Sequence, residues 1–370
     1  MPSTVAEDAD AFAVALAGRI AEEPQLRWQG MPSDGDSRTA YAALGEAGWI
    51  GVHWPEAVGG RGMTPLDTVD CEERFGYRWL PLSGYLLSVK TIGNALLRFA
   101  SRELQERLVP EIAAGRLVFC QGFSEPEAGS DLGALRTAAR ADGDRFVVSG
   151  RKLWTSSADV ADWIYLAVRT GSAPRHRGLS VLVAPLSSPG ITVGAHPTLG
   201  GGTIGEVSLE EVEIPRDNLV GEVDGGWAVL MGTLDHERVT SEKVGVVLWL
   251  LDALDELAST RAERMRLLRL RGEALAARRH GRRAAALLGA GRPAAEQSSM
   301  AKLAIAVLMQ RLAAAAVEQL GPEALLEEGT GTLTGRVAAF HRAAVATTIS
   351  GGAAEVQRTV IARRGLGCPA

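Results

Sequence analysis

The hydrophobic period of this chain changes twice, and that double change constrains its fold more than any single motif. Residues 1–114 carry helical spacing: Phe12, Leu16 and Ile20 recur four apart, as do Leu82, Leu86 and Lys90, with Leu96 and Leu97 beyond. A turn-rich stretch from His53 through Trp54, Pro55, Gly59, Gly60 and Gly62 interrupts them. Thr64-Pro65 then reads as an N-cap followed by proline at the first helical position. Residues 115–222 switch to short β-branched runs, at 145–148, 163–168, 179–183, 191–193 and 206–209, with Gly and Pro between them. Such runs are expected to form a small β-barrel or sandwich. Residues 223–370 return to Ala, Leu, Arg and Glu, which are strong helix formers, broken at Gly289 to Pro293 and at Gly321-Pro322. The expectation is a mainly α fold with an inserted β domain: an N-terminal helical domain over 1–114, a middle β domain over 115–222 and a C-terminal helical bundle over 223–370.

Composition narrows the class. At 370 residues the chain is long enough for roughly two or three domains of about 150 residues. Hydrophobic residues at 46% and charged residues at 22% are ordinary for a globular protein. A net charge of −5 lacks the basic footprint of nucleic-acid binding, so no such partner is expected. Cys71, Cys120 and Cys368 show no CxxC spacing, so no disulfide framework is expected and a reducing cytoplasm fits. The N-terminus carries Glu7, Asp8 and Asp10 rather than a basic segment before an apolar run, and the long apolar stretches are broken by charges. Neither a signal peptide nor a membrane span is expected, and no metal site. The Arg-dense stretch Arg261 to Arg283 mixes charge with Leu and reads as a solvated helix face.

The chemistry-bearing residues lie in and after the β block. The segment Phe123-Ser124-Glu125-Pro126-Glu127-Ala128-Gly129-Ser130-Asp131-Leu132 offers short hydroxyls and a glycine that admits close backbone approach. Val148-Ser149-Gly150-Arg151-Lys152-Leu153-Trp154-Thr155-Ser156-Ser157 adds an aromatic wall beside another hydroxyl. Then come Gly178-Leu179-Ser180, Glu211-Val212-Glu213-Ile214-Pro215, Leu219-Val220-Gly221-Glu222, and finally Glu355-Val356-Gln357-Arg358. This ordered series, with Trp54-Pro55-Glu56 before it, resembles the acyl-CoA dehydrogenase family over nearly the whole chain.

The resemblance implies a helical domain, a middle β domain and a C-terminal four-helix bundle. It implies FAD as cofactor and removal of an α-proton and a β-hydride from an acyl thioester, giving a 2-enoyl thioester. Flavin supplies the hydride chemistry, and the protein positions it and supplies a base. By match to the family motifs, Phe123, Ser124, Gly129, Ser130, Trp154 and Ser156 are cofactor-binding positions, with Ser156 near flavin N5. Ser130, Asp235 and Arg238 are carried over as substrate-binding. The implied partners are an acyl-CoA or acyl-carrier-protein thioester, an electron-transfer flavoprotein or similar acceptor, and further chains in a homo- or hetero-oligomer.

The family's usual base is missing. Where many members carry Glu, this chain has Gly351, in Ser350-Gly351-Gly352-Ala353. Glu237 falls at the alternate family position, on the first helix of the bundle, one turn from Leu234 and Ser241. Desolvation makes a carboxylate a stronger base, so apolar neighbours suit the role. Gly351 keeps the backbone N–H that the family aims at the thioester carbonyl. Without the resemblance, Glu237 reads as a surface carboxylate paired with Arg238 or Lys243. Arg261 to Arg283 lacks the family's Phe-Gly pair, Glu318 and Pro322 stand in its pyrophosphate-binding motif, and Ala353 replaces a cofactor-contacting Thr. These losses resemble bacterial members built from two unlike chains; a homo-oligomer with weak or altered cofactor binding is an equal alternative. A half-site or non-catalytic subunit, and a flavin oxidase or monooxygenase on the same fold, stay open as alternatives.

Overall fold

The computed structural model describes residues 4–22, 34–173, 175–199, 203–326, 333 and 335–369. Helices come first: α1 (Thr4–Glu22), α2 (Asp34–Glu46), α3 (Pro65–Tyr77), α4 (Ser83–Tyr85), α5 (Asn94–Phe99) and α6 (Arg102–Ala113). α3 starts on a capping box. The Thr64 hydroxyl accepts from the Asp67 N–H at 3.2 Å, and the Asp67 carboxylate accepts from the Thr64 N–H at 3.0 Å. Between α4 and α5 the chain stays helical but widens into a π-helix, Leu86–Gly93. The spacing-of-four stripe expected there is therefore re-aimed. The widened turn carries the Lys90 ammonium to Glu242 at 2.6 Å and to Glu72 at 3.1 Å, and Ser88 to the Phe119 N–H at 2.8 Å. Tertiary bonds decide this local geometry, not the periodicity.

The middle block is one eight-stranded sheet: β1 (Phe119–Gly122), β2 (Ala138–Asp142), β3 (Arg145–Ser156), β4 (Trp163–Arg169), β5 (Leu179–Pro185), β6 (Ile191–Pro197), β7 (Thr203–Pro215) and β8 (Leu219–Val220). Its order is β6-β7-β3-β2-β4-β5-β8, with β1 parallel to β4. β4 and β5 are nearly continuous apolar runs because both faces are covered. β3 pairs antiparallel with β7 and slips register twice, between Val148 and Gly150 and between Lys152 and Thr155. The second slip brackets Trp154.

The chain then returns to helices α7 (Gly226–Glu237), α8 (Ser241–Leu257), α9 (Arg261–Gly289), α10 (Ala295–Leu320), α11 (Arg336–Thr347) and α12 (Ala354–Val360). Val247, Leu250, Leu254, Leu270, Ile305, Leu312 and Phe340 fill the bundle core. α10 has the length and apolarity of a membrane span, but it is the bundle's central helix and over half of its apolar window is buried in protein. The Arg stripe of α9 is more than a solvated face: Arg271 pairs with Asp252 on α8 at 2.6 Å, Arg278 with Glu73 on α3 at 2.6 Å, Arg282 with Asp70 on α3, and Arg266 with Glu318 on α10.

α3 lies directly on α8, and two glycines permit it. A Cβ on Gly76 would run into the Glu242 carbonyl, and one on Gly245 into the Glu73 carbonyl. Gly245→Ala should therefore cost about 1–3 kcal/mol through overpacking and lower Tm in a circular-dichroism melt. Gly272→Ala on α9, where an added Cβ meets nothing within 4 Å, should raise Tm, because it only improves helix propensity.

Candidate active site

The first half of the site is a rim on the sheet. The register slip in β3 gives Trp154 a φ of 59° and leaves its indole 68% exposed, while Thr155 beside it is buried and Ser156 is exposed again. Irregular pairing thus turns a large aromatic face outward, where an extended strand would pack it. The Leu153 N–H donates to the Ser124 carbonyl at 2.9 Å and brings the 123–131 segment alongside. Ser130 is exposed, Ser124 half-buried, and a Cβ on Gly129 would meet nothing within 4 Å. An open flat wall bordered by hydroxyls and bare backbone fits a flavin ring. Phe123 differs from its five companions: its ring is buried against Tyr165, so only its backbone reaches the rim.

A buried ion pair that sequence reading missed clamps this rim. The Lys152 ammonium reaches Glu125 at 2.7 Å and the Phe123 carbonyl at 3.3 Å, and the Glu125 carboxylate accepts from the Arg136 and Thr137 N–H groups at 2.6 and 2.9 Å. Burial pushes the Lys152 ammonium down to about 8 against the pull of Glu125. Burial also raises the Glu125 carboxyl, but Lys152 outweighs it and the carboxyl ends below its usual range. Both residues lie inside the quoted motifs, so their spacing was visible although their pairing was not.

The second half of the site forms where α7 ends. The chain was expected to continue as one helix through Glu237 and Ser241, but α7 stops at Glu237 and α8 begins at Ser241. The break is held by tertiary bonds. Ser241 donates to the buried Glu72, and Arg238 turns back to the Gly351 carbonyl at 3.3 Å and to Asp235 at 3.5 Å. No proline or glycine signals it. Arg238 is 5% exposed, and Asp235 accepts from the Ser298 hydroxyl at 3.3 Å, so both are engaged within the protein.

Glu237 takes neither expected partner: Arg238 pairs with Asp235, and Lys243 with Glu242 at 2.9 Å. Its Oε2 is buried and makes no hydrogen bond among the described residues. A Cβ on Gly351 would lie 2.9 Å from the Glu237 Oε1. Absence of a side chain at 351 therefore makes the room for the carboxylate. Gly351 has a φ of 65°, and among the described residues its N–H has no acceptor. A buried, unpartnered carboxylate oxygen beside an unused donor is costly to keep.

Further out, His53, Asn94 and His236 line a cleft of about 510 Å³ that leads to an inner space of about 120 Å³ reaching Glu72 and Lys90. Neither space is lined by Glu237 or Trp154. Burial, with His53, Arg98 and Lys90 nearby, pushes the His236 imidazole down to about 3 and keeps it neutral. The sequence departures also have structural counterparts. Glu318 is engaged by Arg266, Gln319 donates to the Leu254 carbonyl at 2.8 Å, and Ala353 leaves α12 without a side-chain cap.

Gly351→Ala should force the Glu237 carboxylate aside and cost about 1–3 kcal/mol for a side chain at positive φ. A crystal structure of the variant and its lowered Tm check both effects.

Comparison with known proteins covers the whole architecture. Family models described as acyl-CoA dehydrogenase N-terminal, middle and C-terminal domains match residues 5–116, 120–212 and 224–366. The chain is 32% identical over 360 residues to acyl-CoA dehydrogenase FadE26 of Mycobacterium tuberculosis, covering 90% of this chain and 88% of that one. Among solved structures, the Tcur3481-Tcur3483 steroid ACAD superposes with a TM-score of 0.89 at 26% identity, covering 100% of this chain and 98% of that one. The ChsE4-ChsE5 complex from Mycobacterium tuberculosis superposes with a TM-score of 0.84 at 29% identity, covering 100% of both chains. This chain therefore belongs to the acyl-CoA dehydrogenase family, whose members are FAD-dependent oxidoreductases acting on acyl-CoA.

Proposed function

We propose that this chain desaturates an acyl thioester at the α,β bond, with Glu237 as the base. The observation that carries the reading is the unpartnered Glu237 carboxylate packed against the bare Cα of Gly351. Glu237 takes the α-proton onto its carboxylate. The Gly351 N–H, which has no acceptor among the described residues, donates to the thioester carbonyl oxygen as charge develops there. Trp154, Ser124, Ser130 and Ser156 would hold FAD, which would supply the acceptor for the β-hydride. The product is a 2-enoyl thioester, and an electron-transfer flavoprotein or similar acceptor takes the electrons onward. Arg238, paired with Asp235, holds the 351 turn in place. The structural neighbour named as a steroid ACAD makes a CoA thioester with a bulky ring system the first substrate to try.

Glu237→Gln should keep the flavin but slow its reduction by an acyl-CoA by ~100-fold or more, the usual scale for a general base. An unchanged stopped-flow rate would remove Glu237 from the reaction.

A shared site is the accompanying reading. Glu318 places a negative charge in the pyrophosphate-binding motif and Pro322 lacks a backbone donor, so this chain offers little there to a neighbour's cofactor. Two structural neighbours are named as paired chains, Tcur3481-Tcur3483 and ChsE4-ChsE5. Expressed alone, the chain should purify nearly colourless, and co-expression with a sister chain should yield a yellow complex. One FAD per chain in a protein purified alone would contradict this.

A further inference from the structure

The Gly351 turn is held by side chains from three directions. Arg238 donates to the Gly351 carbonyl, Gln357 donates to the Gly352 carbonyl at 3.0 Å, and Lys302 donates to the Thr347 carbonyl. Lys302 is the unexplained member. It sits in the first third of α10, 4% exposed, and no sequence motif singled it out. Thr347 is the last residue of α11, so its carbonyl is one of the helix-end acceptors without an intrahelical donor. The same Cβ that would strike Glu237 from Gly351 would lie 3.6 Å from the Lys302 Cε. The lysine stem and the carboxylate thus converge on one bare Cα.

We propose that Lys302 is a positioning residue of this site: it pins the end of α11, fixes the Gly351 turn against Glu237, and places the cation that faces the Glu237 carboxylate. This rests on the reading of Glu237 as the base. An ammonium has three donors, and among the described residues only the Thr347 carbonyl takes one. The charges facing Lys302 are Lys243 and Glu242 from α8, and Glu237 and Arg238 from the end of α7. Burial and Lys243 push its ammonium down to about 7, while Glu237 and Glu242 hold it up. The proton on Lys302 is therefore coupled to the charge on Glu237.

The test uses the flavin-loaded protein, with its sister chain where one is needed. The Glu237 carboxyl is titrated by infrared difference spectroscopy on protein with labelled glutamate, and assigned by subtracting Glu237→Gln. In Lys302→Met the Glu237 titration should move up by about one unit or more, the usual effect of removing an opposite charge nearby. The acid limb of flavin reduction should move with it, with KM little changed. Lys302→Gln keeps a donor for Thr347 without the charge. It should show the same titration shift, and it carries the test if Lys302→Met does not fold. A Glu237 titration unmoved in a folded Lys302 variant overturns the proposal. A normal reduction rate in Glu237→Gln overturns the base reading instead, so the two failures are distinguishable.

Discussion

One ammonium between two buried carboxylates ties the halves of this protein together. Lys90, on the π-helical turn of the N-terminal helices, reaches Glu242 at the start of α8 and Glu72 on α3. Burial alone would discharge all three groups. Lys243 and Lys90 hold the Glu242 carboxyl down to about 2, Glu242 and Glu72 outweigh burial to raise the Lys90 ammonium, and burial wins only at Glu72, which is raised. Removing one partner of such a cluster strands a buried charge at a cost of about 3–5 kcal/mol. The geometry is therefore strict, and it sits immediately after the break between α7 and α8. Glu237 occupies the last turn before that break, so the cluster that joins the domains also anchors the site.

The same logic repeats on the sheet. Glu125 and Lys152 form a buried pair whose task is to hold a loop against a strand. Their reward is an exposed indole with positive φ, a conformation a strand would not adopt unaided. Each of these pairs lies where a rim or a turn must be rigid, beside apolar clusters that fill the bundle core and the sheet interior. The rim and the 351 turn are thus each stiffened by charge, with the bare Gly351 beside a carboxylate and an ammonium.

Much of this was legible in advance. The helix–strand–helix order, the Thr64 cap and the bundle breaks at Gly289 to Pro293 and Gly321 followed from period and turn chemistry, because those signals act within a few residues. The motif around Ser124 to Ser130 and the Trp154 to Ser156 segment led to the rim. Illegible were the inward turn of Phe123, the π-helical turn at Lys90, the helix break after Glu237 and the clamp of Glu125 by Lys152. Each is set by a partner far away in the chain.

The sequence by itself determined the layer order and the family. It also showed that position 351 holds no base. Glu237 was the sequence's candidate for that place, but only the tertiary structure decided that its carboxylate packs against the bare Gly351 and that Lys302 of α10 lies beside it. The physical reason is range. Helix period, caps and turns are written in neighbouring residues, whereas the burial that leaves a carboxylate without a partner exists only when segments more than a hundred residues apart close around it.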